Sequence, residues 1–270
     1  MRRGLARARG QADELIRAGR VHVDGRPATK GSLQVTGSSA VTVDPGDRPS
    51  YVGRGALKLA DVLDDLAASL GAGPVVAGRR CLDAGASTGG FTQVLLERGA
   101  ATVVAVDVGQ GQLAQLLVDD DRVVDRSGTT VRGLRPEDVG GQVELLVADL
   151  SFISVSVVLG DLVGLVRRGG DLVVLVKTQF EVGRERLGTG GVVRDAARRV
   201  EAVVSVARAA ADAHGLAVRA VRASRWPGPS GNVEYFVWLS RPAQDEQVPA
   251  VSTPDLARAV ERAVREGPTA

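Results

Sequence analysis

Hydrophobic positions along this chain follow two rhythms, which change over near residue 50. In the first stretch Leu5, Ala8, Ala12, Leu15 and Ile16 recur at helical spacing with arginines between them, predicting a helix over 5–18. Gly19 ends it, and Val21-His22-Val23-Asp24-Gly25 reads as a strand entering a turn, with His22 a strand-surface residue rather than a ligand. Val35 and then Val41-Thr42-Val43 suggest further short strands. The Pro/Gly/Asp/Ser-rich run over 44–50 has the composition of a linker.

From residue 55 helices and apolar strands alternate. The spacing predicts a helix over 56–70, a buried strand over 80–83, a helix over 91–98, a strand over 103–107 and a helix beginning near 112–117. Strands follow at 145–149, 172–177, 218–223 and 233–239, with a long helix near 195–213. A last helix, 253–265, opens on Thr253-Pro254-Asp255. The most apolar window, Leu145 to Val166, is interrupted by Asp149 and Asp161, so it reads as strand plus helix and not as a membrane span. Such alternation makes an α/β fold, a mostly parallel Rossmann-like sheet with helices on both faces, behind a small α+β unit.

The chain has 270 residues, 44% hydrophobic and 24% charged, room for one large domain and one small. Charge adds an asymmetry: residues 1–48 carry nine Lys/Arg against five Asp/Glu, while the remainder is slightly acidic. The positive surplus points to a polyanionic partner at the N-terminal unit. A single cysteine, Cys81, leaves no internal disulfide and fits a reducing compartment. No signal peptide is read at the start, so the expectation is a cytoplasmic protein without membrane association or metal, and monomeric. Basic residues are nearly all arginine; Lys30, Lys58 and Lys177 are the three lysines. Lysine, unlike arginine, can give up its proton, so these positions draw notice.

Ligands of open α/β sheets bind outside the carboxyl ends of the strands. There lies the turn Asp83-Ala84-Gly85-Ala86-Ser87-Thr88-Gly89-Gly90-Phe91-Thr92, whose glycines let a ligand approach the backbone. It lacks phosphate-loop spacing and a following lysine, which disfavours nucleoside triphosphates. Asp107 ends the next strand, 22 positions after Gly85, where a carboxylate can bind ribose hydroxyls. These two features fit a nicotinamide dinucleotide or S-adenosylmethionine equally. Asp149 and Lys177 at two further strand ends, Glu234 early in the last strand, and Lys58 on the entering helix add paired cations and carboxylates beside the adenosine pocket. That set suits proton removal from a ribose hydroxyl. Lys177 is the expected base, since it ends a central strand. On spacing alone Glu234 is as well explained by a structural salt bridge.

Four segments carry a resemblance. They are the glycine turn, Val147-Ala148-Asp149-Leu150-Ser151-Phe152-Ile153-Ser154, Val176-Lys177 with Gln179-Phe180-Glu181-Val182-Gly183, and Gly228-Pro229-Ser230-Gly231-Asn232-Val233-Glu234-Tyr235-Phe236. Over nearly its whole length the chain resembles the TlyA family of ribosomal RNA cytidine 2′-O-methyltransferases, also known as hemolysins. The resemblance implies S-adenosylmethionine as cofactor and a Lys-Asp-Lys-Glu tetrad at Lys58, Asp149, Lys177 and Glu234. Cofactor contacts would come from Asp83, Gly85, Ala86, Ser87, Thr88, Gly89, Gly90, Phe91, Asp107, Thr130 and Asp149. It further implies a ribosomal-protein S-four-type RNA-binding domain over 1–46, a linker over 47–54, an FtsJ-like methyltransferase domain over 55–245 and a C-terminal helix over 246–270. Arg7, Arg9, Arg17, Arg20 and Lys30 would meet phosphates of ribosomal RNA or ribosomal subunits. With aromatics at 3%, backbone and shape recognition should outweigh base stacking. Against the family pattern the first helix of the small domain is missing, Thr178 replaces proline, Thr130 asparagine, and Ala8 and Gly53 serines. The competing readings are a non-catalytic RNA-binding or assembly factor, a membrane-lytic hemolysin and, weakest, a dehydrogenase.

Overall fold

In the computed structural model, which describes residues 3, 5, 6, 9–17, 19–44, 51–183, 185, 187–244 and 253–268, two units separate as Met1–Ser50 and Tyr51–Ala270. In the first, helix α1 (Arg9–Arg17) stops at Gly19, whose φ of 68° closes the turn onto the Ile16 carbonyl. Strand β1 (Val21–Val23) pairs antiparallel with β2 (Arg26–Pro27) and β3 (Val41–Val43). Asp24 and Gly25 both take positive φ between β1 and β2, as a two-residue type I′ hairpin turn requires. Val35 is not in a strand. The Thr36 hydroxyl bonds those of Ser38 and Ser39, at 3.0 and 3.1 Å, and turns the chain locally instead. Of the stretch expected as a linker, residues 45–50 lie outside the described set.

The second unit is a seven-stranded sheet. In chain order its elements begin with α2 (Gly55–Leu70), β4 (Arg80–Ala84), α3 (Gly90–Glu97), β5 (Thr102–Asp107), α4 (Gln115–Val118) and β6 (Val123–Ser127). Then come β7 (Val143–Ala148), α5 (Val155–Leu165), β8 (Val166–Lys177), α6 (Thr178–Glu181), α7 (Ala196–His214), β9 (Ala217–Ala223), β10 (Glu234–Ser240) and α8 (Thr253–Glu266). Strand order is β6-β5-β4-β7-β8-β10-β9; β4 to β8 run parallel, and β10 is antiparallel to both of its neighbours. The connection reverses direction between β4 and β7, so the crevice at their carboxyl ends is the topological switch point.

Period-two alternation decides what each strand presents to each layer. Leu82, Val104, Leu146, Val174 and Val237 face the core under α5, α7 and α8, while Cys81, Val103, Leu145, Val173 and Phe236 face the core under α2 and α3. Each such Val or Leu contributes roughly 1.5–3 kcal/mol on burial, which explains the near-continuous apolar runs of the central strands. The same parity matters at the strand ends. Lys177 follows Val176 and Glu234 precedes Tyr235, both residues of the α5-side core, so Lys177 and Glu234 fall on the α2 face. Asp83 follows Leu82 and falls there too.

Tyr51 and Val52, expected as linker, pack beside the α2 core, and the Val52 amide donates to Gln93 Oε1 at 2.9 Å. α7 starts on an Asp195 N-cap that accepts from the Ala197 amide, and it ends at Gly215 with φ 63°, close to the predicted bounds. α8 buries Leu256, Val260, Ala263 and Val264 in the α5-side core.

Candidate active site

At the switch point β4 and β7 approach so closely that a Cβ on Gly85 would lie 2.5 Å from the Asp149 carbonyl oxygen. Gly85 also holds a φ of 88°, so glycine is required here on two grounds. Its amide and that of Ala86 bond the Val106 carbonyl, carrying the turn across to β5. Gly90 is similarly constrained: a Cβ there would meet the Ala56 amide at 2.8 Å, so α3 can start against the start of α2 only with glycine.

A cavity of about 820 Å³ opens at this point, of the size that takes a small-molecule ligand. Of the sequence-predicted residues, Gly85, Ala86, Ser87, Thr88, Gly90, Phe91, Asp149, Lys58, Lys177 and Glu234 line it, whereas Asp83, Gly89, Asp107 and Thr130 do not. Asp83 is fully buried behind the turn and accepts from the Thr92 amide and hydroxyl at 2.8 and 2.7 Å, pinning α3 to β4. Burial pushes its carboxyl up to about 7, against the opposing Thr92 bonds, with Asp149 and Asp107 adding to the rise. Gly89 turns with φ 92° over Leu113 and Leu117. The Asp107 carboxylate accepts from the Ser87 amide at 2.8 Å and the Gly109 amide at 2.7 Å, holding two loops in register. Thr130 accepts from the Arg132 amide at 3.2 Å, one residue beyond Thr129, which bonds the Asp107 carbonyl.

The four charged residues form two pairs. Lys58 Nζ donates to Glu234 Oε2 at 2.5 Å, with side chains 8% and 0% exposed. Lys177 Nζ lies 2.6 Å from Asp149 Oδ1 and donates to Ser151 Oγ at 2.7 Å. The pairs are adjacent because Glu234 and Lys177 stand opposite one another in the β8–β10 ladder. Gly228 makes space for the glutamate, since a Cβ there would come within 2.5 Å of Glu234 Oε1. That oxygen is buried and has no hydrogen-bond partner among the described residues.

Several residues at the cavity were not singled out from the sequence. Ser151 completes the Lys177 contacts. Phe152, 92% exposed and with φ 65°, stands at the rim with its ring 5.5 Å from that of Phe180. A left-handed phenylalanine costs on the order of 1–3 kcal/mol and persists only where its surroundings fix it. Asn232 accepts from the Val193 amide and donates to the Gly191 carbonyl, both at 2.9 Å, tying the 188–193 loop to the start of β10. Ser151, Phe152, Phe180 and Asn232 all lie within the motifs quoted above, but spacing could not show the Asn232 contacts, whose partners are 39 and 41 residues away.

In the first unit Arg17 and Lys30 are exposed, and Arg20 donates to the Asp44 carbonyl at 2.9 and 2.7 Å, closing β1 against β3. Arg7 lies outside the described residues, as does the side chain of Arg9. Arg3, not singled out earlier, donates to the carbonyls of Thr36, Gly37 and Ser39. Among the described residues no helix is long and apolar enough to cross a membrane.

Residues 51–241 match the FtsJ-like methyltransferase family and residues 2–41 match the S4 domain. The chain is 54% identical over 268 residues to the 16S/23S rRNA (cytidine-2′-O)-methyltransferase TlyA of Mycobacterium tuberculosis, spanning 99% of this chain and 96% of that one. It is 35% identical to the putative rRNA methyltransferase YqxC of Bacillus subtilis, spanning 97% and 90%. Among solved structures, a putative hemolysin from Streptococcus thermophilus superposes with a TM-score of 0.74 at 32% identity, covering 98% of this chain and 93% of that one.

Proposed function

The chain belongs to the TlyA branch of the FtsJ-like methyltransferases, and from that premise we propose that it methylates the 2′-oxygen of cytidine in ribosomal RNA, using S-adenosylmethionine. The observation that carries this reading is the convergence of two lysine–carboxylate pairs on a single cavity beside a glycine turn. A dehydrogenase needs no such pairs, and an assembly factor needs no such cavity. Ribosomal RNA as substrate supports a cytoplasmic protein.

The donor set suits the cofactor. Backbone at Gly85, Ala86 and Ser87 is open to a ligand along the cavity wall, and Asp107 organises the adjoining loop at the end of β5, where ribose hydroxyls are commonly bound. Bound there, S-adenosylmethionine supplies an electrophilic sulfonium methyl group. The protein's own residues do the rest. Lys177 takes the proton of the attacking 2′-hydroxyl as the methyl group leaves the cofactor's sulfur, and Asp149 with Ser151 fixes where its nitrogen points. The free Oε1 of Glu234 accepts a hydrogen bond from the ribose, while Lys58 balances the glutamate's charge. Holding hydroxyl and methyl carbon in line can supply on the order of 7 kcal/mol or more of the barrier reduction. At the mouth, Phe152 offers a ring face to an unstacked base, a larger share for stacking than the low aromatic content suggested.

The S4 unit delivers the RNA through phosphate contacts of its exposed basic residues, Arg17 and Lys30 among them, together with Arg7 and Arg9. The deciding experiment incubates the protein with ribosomal subunits and methyl-labelled cofactor, then maps 2′-O-methyl positions. Label at a cytidine, abolished in Lys177→Ala, is the expected result. Absence of label on either subunit, or undiminished transfer by Lys177→Ala, would overturn the proposal.

A further inference from the structure

Asp149 follows the end of β7 and Lys177 ends β8, neighbours in the sheet; the first leads into the 150–154 loop before α5 and the second directly into α6. Glu181, the last residue of α6, reaches across between them. Its Oε1 accepts from the Val155 amide at 2.7 Å and its Oε2 accepts from the Ser154 hydroxyl at 2.6 Å, with the Ser156 hydroxyl at 3.5 Å. The Ser154 side chain makes no cap of its own, so Glu181 supplies the acceptor that the first turn of α5 lacks. An anion at a helix N-terminus is also favoured by the helix dipole.

The consequence runs back toward the chemistry. Between Ser151, which receives the Lys177 bond, and Ser154, which Glu181 holds, the chain has only Phe152 and Ile153. Phe152 is the residue in left-handed backbone, with a side chain almost wholly in solvent. Its own packing is therefore too slight to maintain that conformation, and the anchors on either side must do so. One anchor is Lys177 itself, which must be free to take a proton, and the tilted Phe180 ring is the other contact at the rim.

We propose that Glu181 is a positioning residue for methyl transfer: by clamping Ser154 and Val155 it fixes the 150–154 loop, and through Ser151 it fixes the direction of the Lys177 nitrogen. This rests on the methyltransferase reading above. Partial burial holds the Glu181 carboxyl above the ordinary glutamate range, against the Ser154 and Val155 bonds, yet a neutral acceptor can serve the same contacts. A glutamine's carbonyl accepts from the Val155 amide, and its amide donates to Ser154 Oγ.

The test compares Glu181→Ala and Glu181→Gln with wild type in two readouts. In methyl transfer, Glu181→Ala should lose tenfold or more in kcat while its dissociation constant for S-adenosylmethionine stays within about twofold, and Glu181→Gln should recover to within about threefold of wild type. In hydrogen–deuterium exchange, amides of 151–156 should exchange faster in Glu181→Ala and near wild-type rates in Glu181→Gln. A Glu181→Ala protein that is less stable but keeps its kcat shows a helix cap and nothing more, which overturns the proposal. So does unchanged exchange over 151–156. If wild type itself transfers no methyl group, the functional reading fails, and the exchange experiment still decides whether Glu181 holds the loop.

Discussion

Replacing Glu234 by glutamine keeps the volume of a fully buried side chain and removes its charge, leaving the Lys58 ammonium nearly as buried without a counter-ion. Breaking a buried pair in this one-sided way costs roughly 3–5 kcal/mol, because the remaining charge has lost both water and partner. The 2.5 Å contact and the near-zero exposure of both groups put this pair at the strong end of that range. For a unit of this size each kcal/mol shifts the melting point by roughly 2–4 °C, so a loss near 5 kcal/mol should lower Tm by roughly 10–20 °C. Lys58→Met should cost a similar amount by the converse route, leaving a buried carboxylate. The double variant, Lys58→Met with Glu234→Gln, buries no unpaired charge and should be more stable than the sum of the singles predicts by about 3 kcal/mol. Urea unfolding followed by fluorescence reads this directly, since Trp226 and Trp238, the chain's two tryptophans, both lie in the second unit. The double variant should still be catalytically dead, which separates stability from chemistry. Additivity of the two singles within about 0.5 kcal/mol would refute the reasoning, for it would mean the groups do not interact as a desolvated pair.

Asp83 should make stability fall with pH. Its carboxyl is pushed up to about 7 when folded and lies close to the ordinary aspartate value of 3.8 when unfolded, so the folded state holds the extra proton between those values. Stability from this group is therefore full below about pH 4, declines up to about pH 7 and is flat beyond. Asp83→Asn should remove that slope in urea midpoints taken across the range. Gly85→Ala, with φ 88° and its new methyl carbon 2.5 Å from the Asp149 carbonyl, should lose on the order of 1–2 kcal/mol from backbone alone, more from the contact, and weaken cofactor binding by calorimetry. Replacing Arg17 and Lys30 together by alanine should lower the slope of log affinity against log salt for ribosomal RNA by about 2, measured by filter binding, with little change in the methylated position.

The Rossmann-like order was legible because central strands buried on both faces give unbroken apolar runs, as in Leu172 to Val176. The edge strand β6, Val123–Ser127, was not, since none of its residues is fully buried and the exposed Asp125 and Arg126 dilute its pattern. α4 shrank to Gln115–Val118 because Gly111 adopts φ 62° and Ala114 is extended ahead of it. At the site, strand-end charges stood out against apolar neighbours, so Asp149, Lys177 and Glu234 could be named. What the spacing could not show was who pairs with whom: the antiparallel return of β10 puts Glu234 opposite Lys177, yet it is Lys58 that bonds it. Glu181 escaped notice for a related reason. A glutamate between Phe180 and Val182 reads as a solvated side chain unless its partners, 26 and 27 residues earlier, are already known.

Lys58 and Glu234 are 176 residues apart, on the first helix and the last strand of the sheet domain. The candidate site is thus sewn across almost the full length of the domain, and no fragment that stops before β10 can assemble it. A folding chain gains this buried ion pair only once β10 has been inserted between β8 and β9, so closure of the sheet and completion of the cavity are a single event.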